Sequence, residues 1–291
     1  MKLGVMLPVF SNDASRVRRF AREAAERGFD GVFAADHLHV PGAPERPVLE
    51  AFAVLATVAS ENPELTTGTL VARVGVRHPA MLAKMAAATD DLSGSFVLGL
   101  GSGDAGSDEE DEASGLPRVG DRRALLAETV EALKDLFAGR GWEGGEHTPE
   151  IPGPLLPPPA RAGGPPIWVG GASDELVRMA ARQADGWNGW NLTPEVFVDK
   201  VTMLRSEAGE RPLDVSWGGL AAVGVDETEA LKLAEVRATR GLPPVWIGSA
   251  QDLTRFAGAI ADAGATWFIV GPVMGDERIS VIAEALAGLR S

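Results

Sequence analysis

The feature that most constrains this chain is a recurring alternation of short, nearly continuous apolar runs with longer segments of helical periodicity. KLGVMLPVF from Lys2, GVFAAD from Gly31, LTTGTLVARV from Leu65, SFVLGLG from Ser95, PPIWVGG from Pro165, DGWNGW from Asp185, LDVSWGGLAAVGV from Leu213 and ATWFIVG from Ala265 read as strands buried on both faces. Between them lie helices with readable starts and stops. Asn12, Asp13 and Ser15 are candidate N-caps for a helix whose Val17, Phe20, Ala21, Ala24 and Ala25 share one face, and Gly28 ends it. Pro79 opens a second helix at its first position, and Leu125, Leu126, Val130, Leu133, Leu136 and Phe137 form the apolar stripe of a third.

Strands of this kind, each followed by a helix, require a parallel sheet whose outer face is covered. Eight such units in 291 residues match a (β/α)8 TIM barrel, usually ~250 residues plus insertions, although the alternation also permits an open doubly wound sheet. One segment breaks the rhythm. Gly139 to Pro166 is too rich in glycine and proline for a helix or a central strand, and reads as an insertion before the fifth strand within a single domain spanning residues 1–291.

Composition narrows the chemistry. A net charge of −14 opposes binding to a phosphate backbone, so a small-molecule substrate is expected and nucleic acid is not. No apolar run approaches the ~20 residues of a membrane span, which points away from a membrane and toward the cytoplasm. Without cysteine there are no disulfides and no thiolate ligands, and His37, His39, His78 and His147 form no HExxH pair, so no metal site is expected.

In a barrel, chemistry gathers where strands end at their C-terminal edge. Asp36 and His37 follow the second strand, and Thr69, Leu70 and Val71 close the third. Ser102, Gly103 and Asp104 follow the fourth, Gly170, Gly171, Ala172 and Ser173 the fifth, and Trp187 and Asn188 belong to the sixth. His37 has the chemistry of a proton donor or acceptor, or of a surface residue. His78, before Pro79, reads as a cap. Gly170 to Ser173 suit a phosphate held by free N–H groups at a helix N-terminus, and equally an ordinary turn capped by Ser173 or Asp174.

Taken together, KLGVMLP, GFDGVFAADH, TLVARVGVRHPAMLAKMAAATDDLSGSFVLGLGSG, GDRRALLAETVEAL and PIWVGGASDELVRMAARQADGWN resemble the bacterial luciferase-like superfamily of flavin- and coenzyme F420-dependent barrel oxidoreductases. The resemblance covers most of residues 1–192. It implies an oxidoreductase transferring hydride between coenzyme F420 and a small organic substrate, with an FMN-dependent monooxygenase or a non-catalytic flavin-binding protein as alternatives. Asp36 and His37 would then line the ring pocket, with His37 or Asp104 handling the proton. A non-proline cis peptide is implied near Leu70 and Val71, beside Thr69 and under the ring. Ser102, Gly103, Trp187 and Asn188 would adjoin the cofactor, and Gly170 to Ser173 would cradle its phosphate. The family also implies a homodimer.

Two features depart from a simple reading. GSGDAG satisfies GxGxxG but follows a fourth strand, so a dinucleotide fingerprint is not expected there. The acidic run from Ser107 to Gly115 lacks an apolar face and reads as a solvated, mobile loop and a candidate lid.

Overall fold

The computed structural model describes residues 1–103, 106–239 and 245–290. Its strands are β1 (Lys2–Met6), β2 (Gly31–Asp36), β3 (Thr66–Arg73), β4 (Phe96–Gly101), β5 (Ile167–Gly170), β6 (Gly186–Trp190), β7 (Asp214–Gly224), β8 (Trp246–Ser249) and β9 (Trp267–Pro272). All pair in parallel, and the ladder β1 to β7 followed by β9 closes because β9 also pairs with β1. The expected eight-stranded TIM barrel is therefore present. The additional strand, β8, lies outside the ring and, among the described residues, pairs only with the distal half of the long β7, at Ala221 to Gly224.

The helices are α1 (Ala14–Glu26), α2 (Ala51–Glu61), α3 (Pro79–Ser93), α4 (Ser107–Ser114), α5 (Arg122–Phe137), α6 (Asp174–Gln183), α7 (Pro194–Ala208), α8 (Glu227–Thr239), α9 (Ala250–Asp262) and α10 (Arg278–Leu286). Their starts follow from local chemistry. Asp13 accepts from the N–H of Ser15 to cap α1, and Asp121 accepts from those of Arg123 and Ala124 to cap α5. His78 caps α3 through Nδ1, which accepts from the N–H of Ala80, with Pro79 at the first helical position. Residues 139–166 form neither helix nor strand apart from one antiparallel bridge, Trp142 with Ile151.

Alternation along each strand divides the apolar residues into two cores. The larger lies between sheet and helices, and includes Leu3, Val5, Val32 and Leu98. The smaller fills the barrel with Met6, Phe33, Leu70, Val97, Trp168, Trp267 and Ile269. Phe33 stacks on Trp168 at 6.0 Å and meets Trp267 edge-on at 5.5 Å. These rings fit because their neighbours are small: a Cβ at Gly4 or Gly68 would sit 2.8 Å from the Phe33 ring. These rings fill the barrel interior, with Trp168 and Trp267 also meeting edge-on at 6.0 Å.

Candidate active site

A cavity of about 820 Å³ opens at the C-terminal mouth of the barrel. Its wall is mainly apolar, with Leu7 to Phe10 after β1, Leu70 and Val71 of β3, and Trp190 of β6 among its members. Its polar side chains come from strands, helices and loops, and include Asp36, His37, Ser102, Asn188 and the arginines 16, 46, 73 and 237. This is the usual composition of a small-molecule or cofactor site.

Leu70 and Val71 reach the cavity through a bulge. Between Thr69 and Ala72 both neighbouring ladders shift register, since β3 spends one residue more than β2 and β4 over the same stretch. The Leu70–Val71 peptide bond is cis, where the resemblance placed one. The Val71 side chain occupies space that two glycines leave open: a Cβ at Gly101 would lie 2.5 Å from Val71 Cγ2, and one at Gly170 would lie 2.8 Å from Cγ1.

Asp36 borders the cavity, but its carboxylate is committed to Arg77, whose Nη1 and Nη2 donate at 2.5 and 2.9 Å. Arg77 also reaches Glu50 at 2.7 Å and lies over the Phe52 ring. Burial opposes the Arg77 charge, yet the bonds to Asp36 and Glu50 hold its pKa above the ordinary value. Asp36 is thus a strut that fixes the end of β2.

His37 is held differently. Its Nδ1 lies 3.4 Å from Oε2 of Glu110, whose Oε1 accepts from the backbone N–H groups of Leu38 and, at 3.1 Å, His39. Burial works against ionisation of Glu110, but the hydrogen bonds from His37, His39 and Leu38 outweigh it and lower its pKa to about 2. The neighbouring Asp111 accepts from Arg73 at 2.5 Å and from Arg122 at 2.6 Å. The acidic run is therefore helix α4 where a solvated loop was expected. It packs by buried charge: the inward face that looked unable to pack consists of Glu110 and Asp111 facing Arg73 and Arg122.

Arg73 is 6% exposed, and among the described residues its Nε and Nη2 have no hydrogen-bond acceptor, although Nη2 lies 3.4 Å from Glu110. Burial pulls the pKa of Arg237, on α8, below its ordinary value. A ligand rich in carbonyl or phosphate oxygens fits beside Arg73, because it would supply acceptors and negative charge to a guanidinium already removed from water.

Residues 1–266 match the model of the luciferase-like monooxygenase family. The chain belongs to that family. Uncharacterized proteins of Mycobacterium bovis and Mycobacterium tuberculosis are 31% identical to it over 191 residues, 64% of this chain and 65% of theirs, so the match spans slightly less than two thirds of those relatives. Among solved structures, an F420-dependent secondary alcohol dehydrogenase bound to an F420–acetone adduct superimposes with a TM-score of 0.84 at 17% identity, covering 100% of this chain and 99% of that one. The EDTA monooxygenase of Chelativorans sp. BNC1 does so with a TM-score of 0.80 at 16% identity, covering 99% and 94%. At these identities the likeness establishes the shared fold.

In this luciferase-like barrel the expected site residues separate into two groups. Asp36, His37, Leu70, Val71, Ser102, Gly103, Gly170, Gly171 and Asn188 all border the cavity. Thr69 does not: it is fully buried and donates to the carbonyl of Gly99 at 2.8 Å, tying β3 to β4. Trp187 also points away, packing on Phe197 of α7 while its Nε1 donates to the carbonyl of Gly171. Its place is taken by Trp190, which shares a strand face with Asn188. Ala172 and Ser173 lie outside the wall, with Ser173 capping α6 through the N–H of Leu176. Asp104 lies outside the described residues.

Several residues of the site were not anticipated. Trp190 was recoverable from parity, since residues two apart on a strand share a face. Glu110 and Asp111 carried no such signal, because an amphipathic pattern counts apolar residues and this helix buries acids. Arg237 comes from α8, far along the chain, and only the tertiary fold brings it to the mouth.

Proposed function

We propose that this protein is a two-electron oxidoreductase that works with coenzyme F420 on a small organic substrate. The observation that carries the reading is the convergence, in one cavity, of His37, the Leu70–Val71 bulge and Asn188 with an arginine-bearing wall. Bound coenzyme F420 supplies a carbon centre that accepts or donates hydride. The chain's own residues do the rest. Leu70, Val71 and the glycine-backed wall give a flat apolar rest for a ring, and Arg73 and Arg237 offer charge to its oxygens. His37 exchanges the accompanying proton with the substrate, and the apolar residues after β1 limit water access. Residues 1–291 are read as one domain acting in the cytoplasm, with a homodimer as the expected assembly.

A phosphate at the start of α6 meets competing charge. The N-terminus of α6 already carries Asp174, paired with Lys200 at 2.5 Å, and Glu175, paired with Arg123 at 2.8 Å. Those carboxylates meet the positive end of the helix dipole before any ligand does. A phosphate at Gly170 and Gly171 would depend on backbone N–H groups and the nearby arginines.

FMN is the second reading, supported by the fold shared with a riboflavin lyase solved with modified FMN. Oxygen chemistry would then replace hydride transfer to an organic acceptor. Titration of the purified protein with each cofactor, followed by turnover assays, separates the two. Tight FMN binding with no F420-dependent turnover would overturn the preference, and binding without turnover of either would favour a carrier protein.

A further inference from the structure

We infer that Glu110 determines which ring nitrogen of His37 carries the hydrogen, and so acts as a positioning residue for the proton transfer assigned to His37 above. The inference rests on that reading for its consequence, but its physical basis is independent of it. An ionised carboxylate can only accept. Oε1 of Glu110 is occupied by the N–H groups of Leu38 and His39, leaving Oε2 to face Nδ1 of His37 and Nη2 of Arg73, each at 3.4 Å. Were Nδ1 the bare nitrogen of a neutral imidazole, its lone pair would oppose the lone pairs of Oε2. Nδ1 therefore carries the hydrogen, and Nε2 is the nitrogen free to accept a proton.

The same carboxylate fixes the ring's position. Its bonds to residues 38 and 39 hold the backbone immediately after His37, and the Phe10 ring packs beside the imidazole at 5.9 Å. Glu110 is itself held, because Asp111 anchors α4 to Arg73 and Arg122. The arrangement follows the general pattern in which a carboxylate orients a functional histidine from behind.

The test is the imidazole nitrogen spectrum of the cofactor-free protein labelled with 15N-histidine, with His37 assigned by its loss in His37→Gln. The expected neutral form is the Nδ1–H tautomer. In Glu110→Gln the amide oxygen can keep the bonds to residues 38 and 39 while the amide nitrogen turns a donor toward Nδ1, so the expected form switches to Nε2–H. Turnover should fall about 10- to 100-fold in Glu110→Gln with coenzyme affinity retained. An Nε2–H tautomer in the wild-type protein overturns the proposal without any variant needing to fold, and so does an unchanged tautomer in folded Glu110→Gln. Full turnover in His37→Ala would instead overturn the catalytic reading of His37 and leave the tautomer result standing.

Discussion

Gly170 has two competing explanations, and one substitution pair distinguishes them. A methyl at Gly170 would place its Cβ 2.8 Å from Cγ1 and 3.6 Å from Cγ2 of Val71, whose side chain comes from the bulge of β3. If packing is what requires glycine, Gly170→Ala overfills the wall and destabilises by ~1–3 kcal/mol. Val71→Ala removes the colliding methyl together with its partner and, because Val71 is only partly buried, costs at most about 1.6 kcal/mol, at roughly 0.8 kcal/mol for each fully buried group. In the double variant the collision is absent. Its stability should then match that of Val71→Ala alone, giving a coupling of ~1–3 kcal/mol. Urea unfolding followed by tryptophan fluorescence measures the cycle, with coenzyme titration of the same four proteins alongside. Costs that add within ~0.5 kcal/mol would refute the packing argument. An unchanged urea midpoint in Gly170→Ala, with coenzyme affinity lost and not restored by Val71→Ala, would assign the glycine to close approach of a phosphate instead.

Three further outcomes follow from the site. Glu110, lowered from 4.5 to about 2, binds a proton in the unfolded chain before the folded one; its stabilisation is complete above about pH 4.5, fades as pH falls toward 2, and amounts to ~3 kcal/mol. Urea unfolding between pH 7 and 3 should show a shallower decline in Glu110→Gln, and an identical slope would count against the assignment. Arg77→Met strands the buried Asp36 carboxylate and should cost ~3–5 kcal/mol, read as a lowered melting temperature that adding Asp36→Asn partly restores; no restoration would mean that the loss lies elsewhere. Thr69→Val loses the bond to Gly99 and should cost ~1–2 kcal/mol while coenzyme affinity stays unchanged, because the side chain lies outside the cavity. Weakened binding at preserved stability would return Thr69 to the site.

The barrel was legible because its signals are local and repeated. Each apolar run needs only its own residues to declare a buried strand, and Pro79 or Asp121 marks a helix start without reference to the rest of the molecule. What escaped depended on partners distant in sequence. Trp246–Ser249 is too short to stand out, and becomes a strand because β7 extends far enough beyond the barrel to receive it. Thr69 and Trp187 were placed in the site by proximity to it, but strand alternation turns both outward, and parity within WNGW points to Asn188 and Trp190 as the inward pair. The acidic run is the sharpest case. SDEEDE has no apolar stripe, and nothing within it reveals that Arg73, at the end of β3, and Arg122, at the start of α5, converge on the same place.

That convergence also changes what the acidic run does to a ligand. As a free loop, five carboxylates beside the cavity would repel an anionic coenzyme. As α4, Glu110 and Asp111 are buried against Arg73 and Arg122, and Arg122 takes Asp108 as well at 2.6 Å. Burying a guanidinium without a counter-charge would be costly, so these carboxylates are what allow Arg73 to stand in the cavity wall at all. In a chain with 41 acidic and 27 basic residues, four arginines nevertheless border this one cavity. The negative charge of α4 is therefore the means by which a strongly acidic protein keeps a cation in the wall of this cavity. Removing Asp111 should consequently weaken anion binding rather than strengthen it, opposite to the effect of deleting an acid from an open loop. Titration of the Asp111→Asn variant with the coenzyme measures the sign, and tighter binding would refute the argument.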